Sequence, residues 1–276
     1  MGEQSAIEWT DATWNPVRGC VKVSPGCAHC YAETFAERFR GVPGHPYAQG
    51  FDLRLVPTKL GEPQRWKQPK RIFVNSMSDL FQDGVPDDYI AEVWKTMATI
   101  RRHTYQVLTK RAERMQGLLP RLVATFGLLP NVWLGVSVEN QPFADERIPP
   151  LLATPAAVRF ISAEPLLGPI TVRCWLKRPY QIDHAVHPAL DWVILGGESG
   201  PHSRPFDLEW GRALVRECKA AGVPCFVKQL GARPTGWWTN ATGPRVNRHS
   251  LRSSKGGDIE EWPEDLRVRE FPTLTR

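Results

Sequence analysis

The sequence predicts an α/β fold, specifically a full or partial (β/α) barrel with an irregular C-terminal extension. Three observations support this prediction. The chain has 276 residues, 42 % of them hydrophobic and 23 % charged, which suits one large domain with a substantial core. Short apolar runs recur along it, and each is followed by a turn and a helical pattern. Strands that alternate with helices are typical of parallel βα units.

The predicted strands follow one another at regular intervals. The first lies in AIEWT or in the run around Trp14, and the others span residues 71–77, 104–110, 131–140, 157–165, 191–200 and 224–231. Helices are predicted within CYAETFAERF, over residues 87–102, in AERMQGLLPRL and over residues 207–222. Asp207 is placed to cap the last helix and Gly222 to end it.

The pattern also predicts the domain organisation. Residues 1–231 are assigned to the barrel, with a loop rich in Pro and Gly inserted at about residues 41–70. Residues 232–276 are rich in Gly, Pro and charge. We expect them to form an extension that packs on the barrel.

Three predicted strands end in the same way. Glu139 follows Ser137 by two residues, Glu164 follows Ser162 by two, and Glu198 follows Gly196 by two. Residues two apart on a strand point to the same side. Because the carboxyl ends of barrel strands form the active-site rim, these side chains are predicted to line a polar mouth. Other strand ends add further polar residues to it, namely Asn75, Ser76, Asp79, Thr109, Lys110, Lys228 and Gln229.

The segment CVKVSPGCAHCY holds half of the six cysteines. Cys20, Cys27 and Cys30 are separated by six and then two residues. Three thiolates could hold a structural zinc ion with His29 or His45 as the fourth ligand. They could instead hold three irons of a 4Fe–4S cluster and leave the fourth iron open. The spacing alone leaves both interpretations open.

The chain shows no feature of a membrane or secreted protein. It has no apolar run near 20 residues and no basic start followed by an apolar stretch. We therefore expect a cytoplasmic protein that does not associate with membranes. In that compartment a tight cysteine group more often binds metal or takes part in catalysis than forms disulfides.

The charge distribution favours a polyanionic partner. The net charge is +6, and basic residues surround Trp66 in the segment KLGEPQRWKQPKR. Basic residues beside an indole suit phosphate contacts and base stacking. The predicted nucleic-acid-binding residues are Lys59, Arg65, Trp66, Lys67, Lys70, Arg71 and Arg111.

Long motifs across the chain resemble a known but uncharacterised family. They include IEWTDATWNPVRGC, SPGCAHCYAE, SDLFQDGVPD, QVLTKRAERM, LPNVWLGVSVENQ and DWVILGGESGP. This family comprises phage and bacterial proteins similar to radical S-adenosylmethionine enzymes, and some members are encoded beside a three-Cys-motif partner protein. Most radical S-adenosylmethionine enzymes space their cysteines by three and two residues, so this chain is a variant.

The resemblance implies a barrel of the radical S-adenosylmethionine type and two cofactors. Cys20, Cys27 and Cys30 would bind a 4Fe–4S cluster, and S-adenosylmethionine would occupy the open iron. One-electron reduction would cleave S-adenosylmethionine and generate a 5′-deoxyadenosyl radical. The electron would come from a donor such as a flavodoxin or ferredoxin.

By the same analogy, strand-end residues are expected to bind S-adenosylmethionine. Asn75 and Ser76 would approach its amino group, Thr109 and Lys110 its carboxylate, and Ser137 with Glu139 its ribose. His29 would lie near the adenine, and Ser162 with Glu164 would complete the rim. The Gly-Gly-Glu at residues 196–198 lies on a later strand than the equivalent motif of the superfamily, so that role is not assigned to Glu198.

The implied substrate is nucleic acid, most simply DNA. The nearest precedent is the radical lyase that reverses a thymine photoproduct in DNA repair, and base modification is the second possibility. Such an enzyme would have to extrude the base from a duplex. No catalytic residue is assigned, although Cys174 is a weak candidate for the hydrogen-returning thiol that a lyase needs.

Two alternatives remain open at this point. One is a metal-dependent hydrolase in which Glu139, Glu164, Glu198 and Asp79 bind a divalent ion while the cysteines hold structural zinc. The other is a noncatalytic nucleic-acid-binding metalloprotein.

Overall fold

The computed structural model describes residues 4–176, 188–236, 239–240, 243–244 and 251–273. The chain forms two compact units. The first comprises Met1–Val136 and Ala153–Ala157, and the second comprises Ser137–Leu152 and Val158–Arg276. Residue 231, the predicted end of the barrel, lies within the second unit.

The first unit is built on four parallel strands that pair in chain order. They are β1 (Ala12–Trp14), β4 (Arg71–Val74), β5 (Thr104–Thr109) and β6 (Val132–Ser137), whose last residue belongs to the second unit. Two shorter strands, β2 (Val17–Arg18) and β3 (Arg54–Leu55), pair antiparallel. The helices are α1 (Tyr31–Glu37), α2 (Asp87–Thr99) and α3 (Ala112–Phe126).

The second unit repeats this arrangement with three parallel strands. They are β7 (Val158–Ala163), β8 (Trp192–Leu195) and β10 (Cys225–Val227). Its helices are α4 (Gln141–Ala153) and α5 (Leu208–Ala221). Short strands β9 (Phe206–Asp207) and β11 (Pro234–Thr235) pair parallel, and β12 (Thr239–Asn240) pairs antiparallel with β13 (Gly243–Pro244).

The parallel α/β class predicted from the sequence is confirmed. The long strands are buried on both faces, as expected where helices cover a parallel sheet. For example, β6 is buried along its whole length, and so is β8. The amphipathic pattern of α2 places Ile90, Val93, Trp94 and Met97 in the core.

The predicted caps of α5 are present. The side chain of Asp207 accepts a hydrogen bond from Glu209 N at 2.9 Å, and Gly222 adopts a left-handed conformation with φ 64°. Helix α4 was not predicted because it contains Pro149 and Pro150, which usually interrupt a helical pattern.

Two segments outside the regular strands pack against the units. In the predicted insertion, Tyr47 and Phe51 pack on Ala32 and Ala36 of α1. In the predicted extension, the ring of Phe271 lies 5.4 Å from that of Trp192, which is on β8. Among the described residues, no helix is long and apolar enough to cross a membrane.

Candidate functional site

The cysteine loop connects β2 to α1 in the first unit, and the chain beside Cys20 is held firmly. Gly19 N donates to Met77 O at 3.1 Å, and Cys20 N donates to Phe51 O at 3.3 Å. The buried side chain of Gln82 forms hydrogen bonds with the backbone of both neighbours of Cys20. Its Nε2 donates to Gly19 O at 2.6 Å, and its Oε1 accepts from Val21 N at 3.3 Å.

The other two cysteines lie at the ends of short helical segments. Cys27 ends a 3-10 turn that begins at Pro25, and Cys30 is the N-cap residue of α1. The sulfur of Cys27 lies 3.7 Å from Ser24 Oγ. Cys20, Cys27 and Cys30 are all free thiols and all partly exposed. A ligand can therefore reach each of them without unfolding the loop.

The three thiols differ in acidity. Burial raises the pKa of Cys20 to about 11, although the charge of Arg111 opposes this. Burial also raises the pKa of Cys30, against hydrogen bonds from backbone N–H groups at the start of α1. Burial also acts to raise the pKa of Cys27. A hydrogen bond from the Val23 N–H and the charge of Lys110 outweigh this effect, so the pKa of Cys27 is lowered. Cys27 therefore ionises most readily.

Asn75, directly after β4, has an unusual conformation. Its φ is 61°, in the left-handed region that residues other than glycine seldom adopt, although asparagine tolerates it best. The side chain is 1 % exposed. Its Oδ1 accepts a hydrogen bond from Val17 N at 3.4 Å, whereas its Nδ2 has no partner among the described residues. A buried N–H donor is thus available at this strand end.

Ser76 joins this strand end to the cysteine loop. Its Oγ lies 3.2 Å from Asn15 Nδ2, after β1, and its carbonyl oxygen accepts a hydrogen bond from the Tyr31 hydroxyl. Tyr31 directly follows Cys30 in the chain. The ends of β1 and β4 and the start of α1 are therefore tied together.

Asp79 is the centre of a second network. Its Oδ1 accepts from Thr109 Oγ1 at 2.7 Å, and its Oδ2 accepts from Lys110 N and from Arg111 Nη1, both at 2.9 Å. Arg111 in turn lies 3.4 Å from the sulfur of Cys20 through Nη1 and donates to Val21 O at 2.7 Å through Nη2. The end of β5 is thereby connected to the cysteine loop.

A single metal ion and a 4Fe–4S cluster require different arrangements of the thiols. In the described part of the chain, no three His, Cys, Asp or Glu side chains converge closely enough to hold one metal ion. Zinc requires its thiolates to share one point, about 2.3 Å from each sulfur. A 4Fe–4S cluster is larger and takes each thiolate on a different iron. Three partly exposed thiols lie on one loop, and the nearby charges of Lys110 and Arg111 would suit the negative charge of such a cluster.

The predicted rim residues of the second unit form ion pairs. Ser137 is the last residue of β6 and Glu139 follows the strand, and both are buried. The Oε2 atom of Glu139 lies 3.1 Å from Nη1 of Arg147, which also donates to Ser137 O at 2.8 Å. The expectation from the sequence placed Ser137 and Glu139 at a ribose, and that role stays a prediction. Without ligand, Arg147 of α4 contacts the carboxylate of Glu139 and the backbone carbonyl oxygen of Ser137.

The other strand ends of this unit are similar. Glu164 accepts from Ser162 Oγ at 3.0 Å and pairs with Lys228 Nζ at 3.1 Å. Glu198 pairs with Arg204 through both carboxylate oxygens, at 2.6 and 2.9 Å. Gln229 Nε2 donates to Gly197 O at 2.9 Å.

The ion pairs bear on the hydrolase interpretation. All four carboxylates that it assigns to a divalent ion, Glu139, Glu164, Glu198 and Asp79, are paired with Arg or Lys. A divalent cation would therefore have to displace Arg147, Lys228, Arg204 and Arg111 from these carboxylates.

Two of the predicted nucleic-acid contacts need correction. Trp66 is only 5 % exposed, and its indole packs edge-on against His103, so it is not available to stack on a base. Arg111 is held by Asp79 and the cysteine loop, as described above, and does not lie among the surface charges.

The remaining basic residues differ in their availability. Lys59 pairs with Glu62, and Arg71 pairs with Asp11 at 2.9 Å. Lys70 is half-buried, whereas Arg65 and Lys67 are exposed. The last two are the best-placed of the predicted phosphate contacts.

The other cysteines belong to the second unit, and two histidines lie in or after the cysteine loop of the first. Cys174 is exposed in a turn of the second unit, and Cys218 and Cys225 are buried there. The ring of His45 stacks on that of Phe39 with 3.8 Å between the ring centroids, and its Nδ1 accepts a hydrogen bond from Tyr47 N. Both contacts belong to the packing of the insertion. His29 is exposed within the cysteine loop.

Sequence reasoning missed three residues that organise this site: Asn15, Tyr31 and Gln82. Asn15 and Gln82 lie at or near strand ends, where a polar residue directly after an apolar run is the only available signal. Their partners are distant in the sequence. For example, Gln82 contacts Gly19 across 63 positions.

Comparison with solved structures finds spore photoproduct lyase in several forms. Its complex with dinucleoside spore photoproduct is 12 % identical, with a TM-score of 0.43, over 82 % of this chain and 58 % of that chain. A singly substituted form is 10 % identical, with a TM-score of 0.48, over 83 % of this chain and 81 % of that chain. A doubly substituted form with bound AdoMet and dinucleoside spore photoproduct is 11 % identical, with a TM-score of 0.43, over 86 % of this chain and 60 % of that chain.

The chain thus spans less than two thirds of the length of the first of these proteins. No curated protein sequence matches the chain. A sequence model of one family does match, over residues 4–263, and the chain therefore belongs to that family, which is described as "protein of unknown function (DUF5131)".

Proposed function

We propose that the chain is a radical S-adenosylmethionine enzyme whose 4Fe–4S cluster is bound by Cys20, Cys27 and Cys30. One observation carries this proposal. Three accessible thiols lie on a single loop of a parallel α/β unit, and polar residues from the ends of β1, β4 and β5 hold that loop in place. The family resemblance of the sequence motifs points to the same chemistry.

When bound, a reduced cluster supplies the electron that cleaves S-adenosylmethionine to methionine and a 5′-deoxyadenosyl radical. The residues of the chain bind and orient. Lys110 acts electrostatically on Cys27 and Cys30, and Arg111 acts on Cys20. These two cations favour the thiolate forms that bind iron.

Asn75 is the residue best suited to the methionine end of S-adenosylmethionine. The sequence analogy placed it at the amino group. Its free atom is an N–H donor, however, and a donor suits a carboxylate rather than an ammonium group. We therefore assign Asn75 to the carboxylate. Left-handed backbone at a residue other than glycine, as in Asn75, is concentrated at binding sites.

The proposed substrate is nucleic acid, with photolesion reversal or base modification as the reaction. The net charge of +6 and the exposed Arg65 and Lys67 support this part of the proposal. The cluster would receive its electron from a flavodoxin or ferredoxin type of donor. A three-Cys-motif protein remains a proposed partner.

Anaerobic reconstitution with iron and sulfide tests the cofactor assignment. We expect visible absorption typical of a 4Fe–4S cluster, close to four irons per chain, and formation of 5′-deoxyadenosine from S-adenosylmethionine under reducing conditions. A protein that instead retains stoichiometric zinc after anaerobic purification, and takes up no iron, would overturn the proposal.

Asn75→Ala provides a sharper test of the S-adenosylmethionine site. The variant should keep its cluster but bind S-adenosylmethionine at least several-fold more weakly by calorimetry. Asn131→Ala is the matched control, because Asn131 is also a buried asparagine of the first unit, but it donates to Met97 O and His103 O away from the loop. Equal affinity in wild type and Asn75→Ala would remove Asn75 from the site.

A further inference from the structure

Cys20 differs from the other two thiols of the loop because a guanidinium group contacts its sulfur. Arg111 Nη1 lies 3.4 Å from Cys20 Sγ, within the range of a hydrogen bond to sulfur. The same residue donates to the carbonyl oxygen of Val21, the next residue of the loop, at 2.7 Å. Arg111 thus holds both the side chain of Cys20 and the backbone that follows it.

Asp79 fixes the position of Arg111. The Arg111–Asp79 ion pair is 2.9 Å long, and the two side chains are only 12 % and 7 % exposed. Asp79 is fixed in turn by Thr109 Oγ1 and by Lys110 N. A guanidinium group held this way keeps its geometry at little entropic cost, since its rotamers are already restricted.

From this geometry we propose that Arg111 is a positioning residue for Cys20, which directs the Cys20 sulfur towards the cluster and donates a hydrogen bond to it there. This proposal rests on the proposed function and adds to it a role for Arg111. Hydrogen bonds to the ligating sulfurs are one of the factors that set the reduction potential of an iron–sulfur cluster. A cationic donor at one ligand stabilises the more negative, reduced form. Arg111 should therefore raise the reduction potential.

The first test uses protein without cofactor. A double-mutant cycle combines Arg111→Met with Cys20→Ala and measures the unfolding midpoint of each variant. The two substitutions should be non-additive because the side chains are in contact. The control cycle combines Arg111→Met with Cys27→Ala, whose sulfur makes its hydrogen bond to Ser24, and should be additive.

The second test is the midpoint potential of the reconstituted cluster. We expect a more negative midpoint potential in Arg111→Met than in wild type. The potential of Arg111→Lys should lie between the two, because lysine keeps the positive charge but lacks the two guanidinium nitrogens that contact Cys20 Sγ and Val21 O. Arg114→Met is the matched control. Arg114 lies on α3, three residues after Arg111, and donates to Phe81 O, Gln82 O and Val85 O, but it has no hydrogen bond to a cysteine among those of the described residues. Its potential should equal that of wild type.

The outcomes separate this inference from the proposed function. Equal potentials in wild type and Arg111→Met, or an additive first cycle, would overturn the role of Arg111 even if the cluster forms normally. Failure of wild type to form any cluster would overturn the proposed function, and the role of Arg111 with it. A merely structural role for Arg111 would lower cluster content without shifting the potential of the clusters that form.

Discussion

Nη1 of Arg147 lies 3.1 Å from Oε2 of Glu139, and the side chains of these two residues are 2 % and 0 % exposed. Arg147 also lies with its guanidinium 4.3 Å from the ring of Phe143. A buried ion pair of this kind is costly to break, because the remaining charge stays buried and is not solvated by water. Glu139 therefore contributes to the stability of the second unit.

Glu139→Ala should accordingly destabilise the protein by about 3–5 kcal/mol, since it leaves the buried Arg147 with only the exposed carboxylate of Glu146 as an ionic partner. Chemical denaturation monitored by circular dichroism measures this. Glu260→Ala is the control, because Glu260 forms an exposed ion pair with Arg267 at 3.8 Å and should cost at most about 1 kcal/mol. If the two variants are equally stable, Glu139 is free to act at the ribose of S-adenosylmethionine.

Single substitution of Cys20, Cys27 or Cys30 by Ala should remove most of the bound iron, because each thiolate binds a different iron of the cluster. Iron and sulfide analysis after anaerobic reconstitution provides the measurement. Cys174→Ala is the control, since this exposed thiol lies in the second unit. Full iron content in any of the three loop variants would contradict the assignment of that cysteine.

Gly19→Ala should impair cluster assembly although all three thiols remain. Gly19 has a φ of 78°, and an added Cβ would lie 2.2 Å from Asp52 O. The backbone before Cys20 would have to move, so we expect less iron per chain. Gly44→Ala is the control. Gly44 has a similar φ of 76°, but no atom lies within 4 Å of the added Cβ, so this variant shows the effect of backbone strain without a steric clash. Normal iron content in Gly19→Ala would show that the loop tolerates such a shift.

Reversal of Arg65 and Lys67 to Glu should weaken binding to DNA and flatten its salt dependence. Each phosphate contact contributes a slope of roughly −0.9 to the log–log plot of affinity against salt for a duplex. Fluorescence anisotropy at several salt concentrations provides the measurement. The control reverses the exposed Arg216 and Lys219 on α5, which changes the net charge equally. Absence of salt-dependent binding by wild type to DNA or RNA would exclude a phosphate-binding surface.

His103 should make the protein less stable in mild acid. Burial lowers its pKa, and its Nδ1 accepts from Lys70 N while Nε2 faces Pro63 O. Below a pH of about 6.5 the unfolded chain binds a proton at this residue that the folded chain does not, so stability falls as the pH falls through the lowered pKa.

His103→Gln should remove that part of the acid dependence, whatever its effect at neutral pH. Thermal unfolding between pH 7.5 and pH 5, taken as rough limits around the ordinary histidine pKa, provides the measurement. His202→Gln, which replaces an exposed histidine, is the control for the loss of an imidazole. An unchanged slope in His103→Gln would mean that this residue does not titrate differently on folding.

The local features of the fold follow from the sequence itself. The apolar runs at 104–110 and 157–165 became β5 and β7 within two residues at each end, because a buried parallel strand needs little more than a short apolar segment. The caps of α5 at Asp207 and Gly222 are also local chemistry. The cysteine spacing located the candidate site for the same reason, since its three thiols lie within one loop.

Only the tertiary structure decided which charges are free and which are paired. Arg111 and Trp66 belong to basic, exposed-looking segments of the sequence, yet one holds Cys20 and the other is buried against His103. Glu139 and Glu164 share the same spacing from a serine, yet Glu139 pairs with Arg147 on a helix and Glu164 with Lys228, directly after β10. Such partners are set by long-range packing, because a charged side chain is buried only where a distant residue neutralises it.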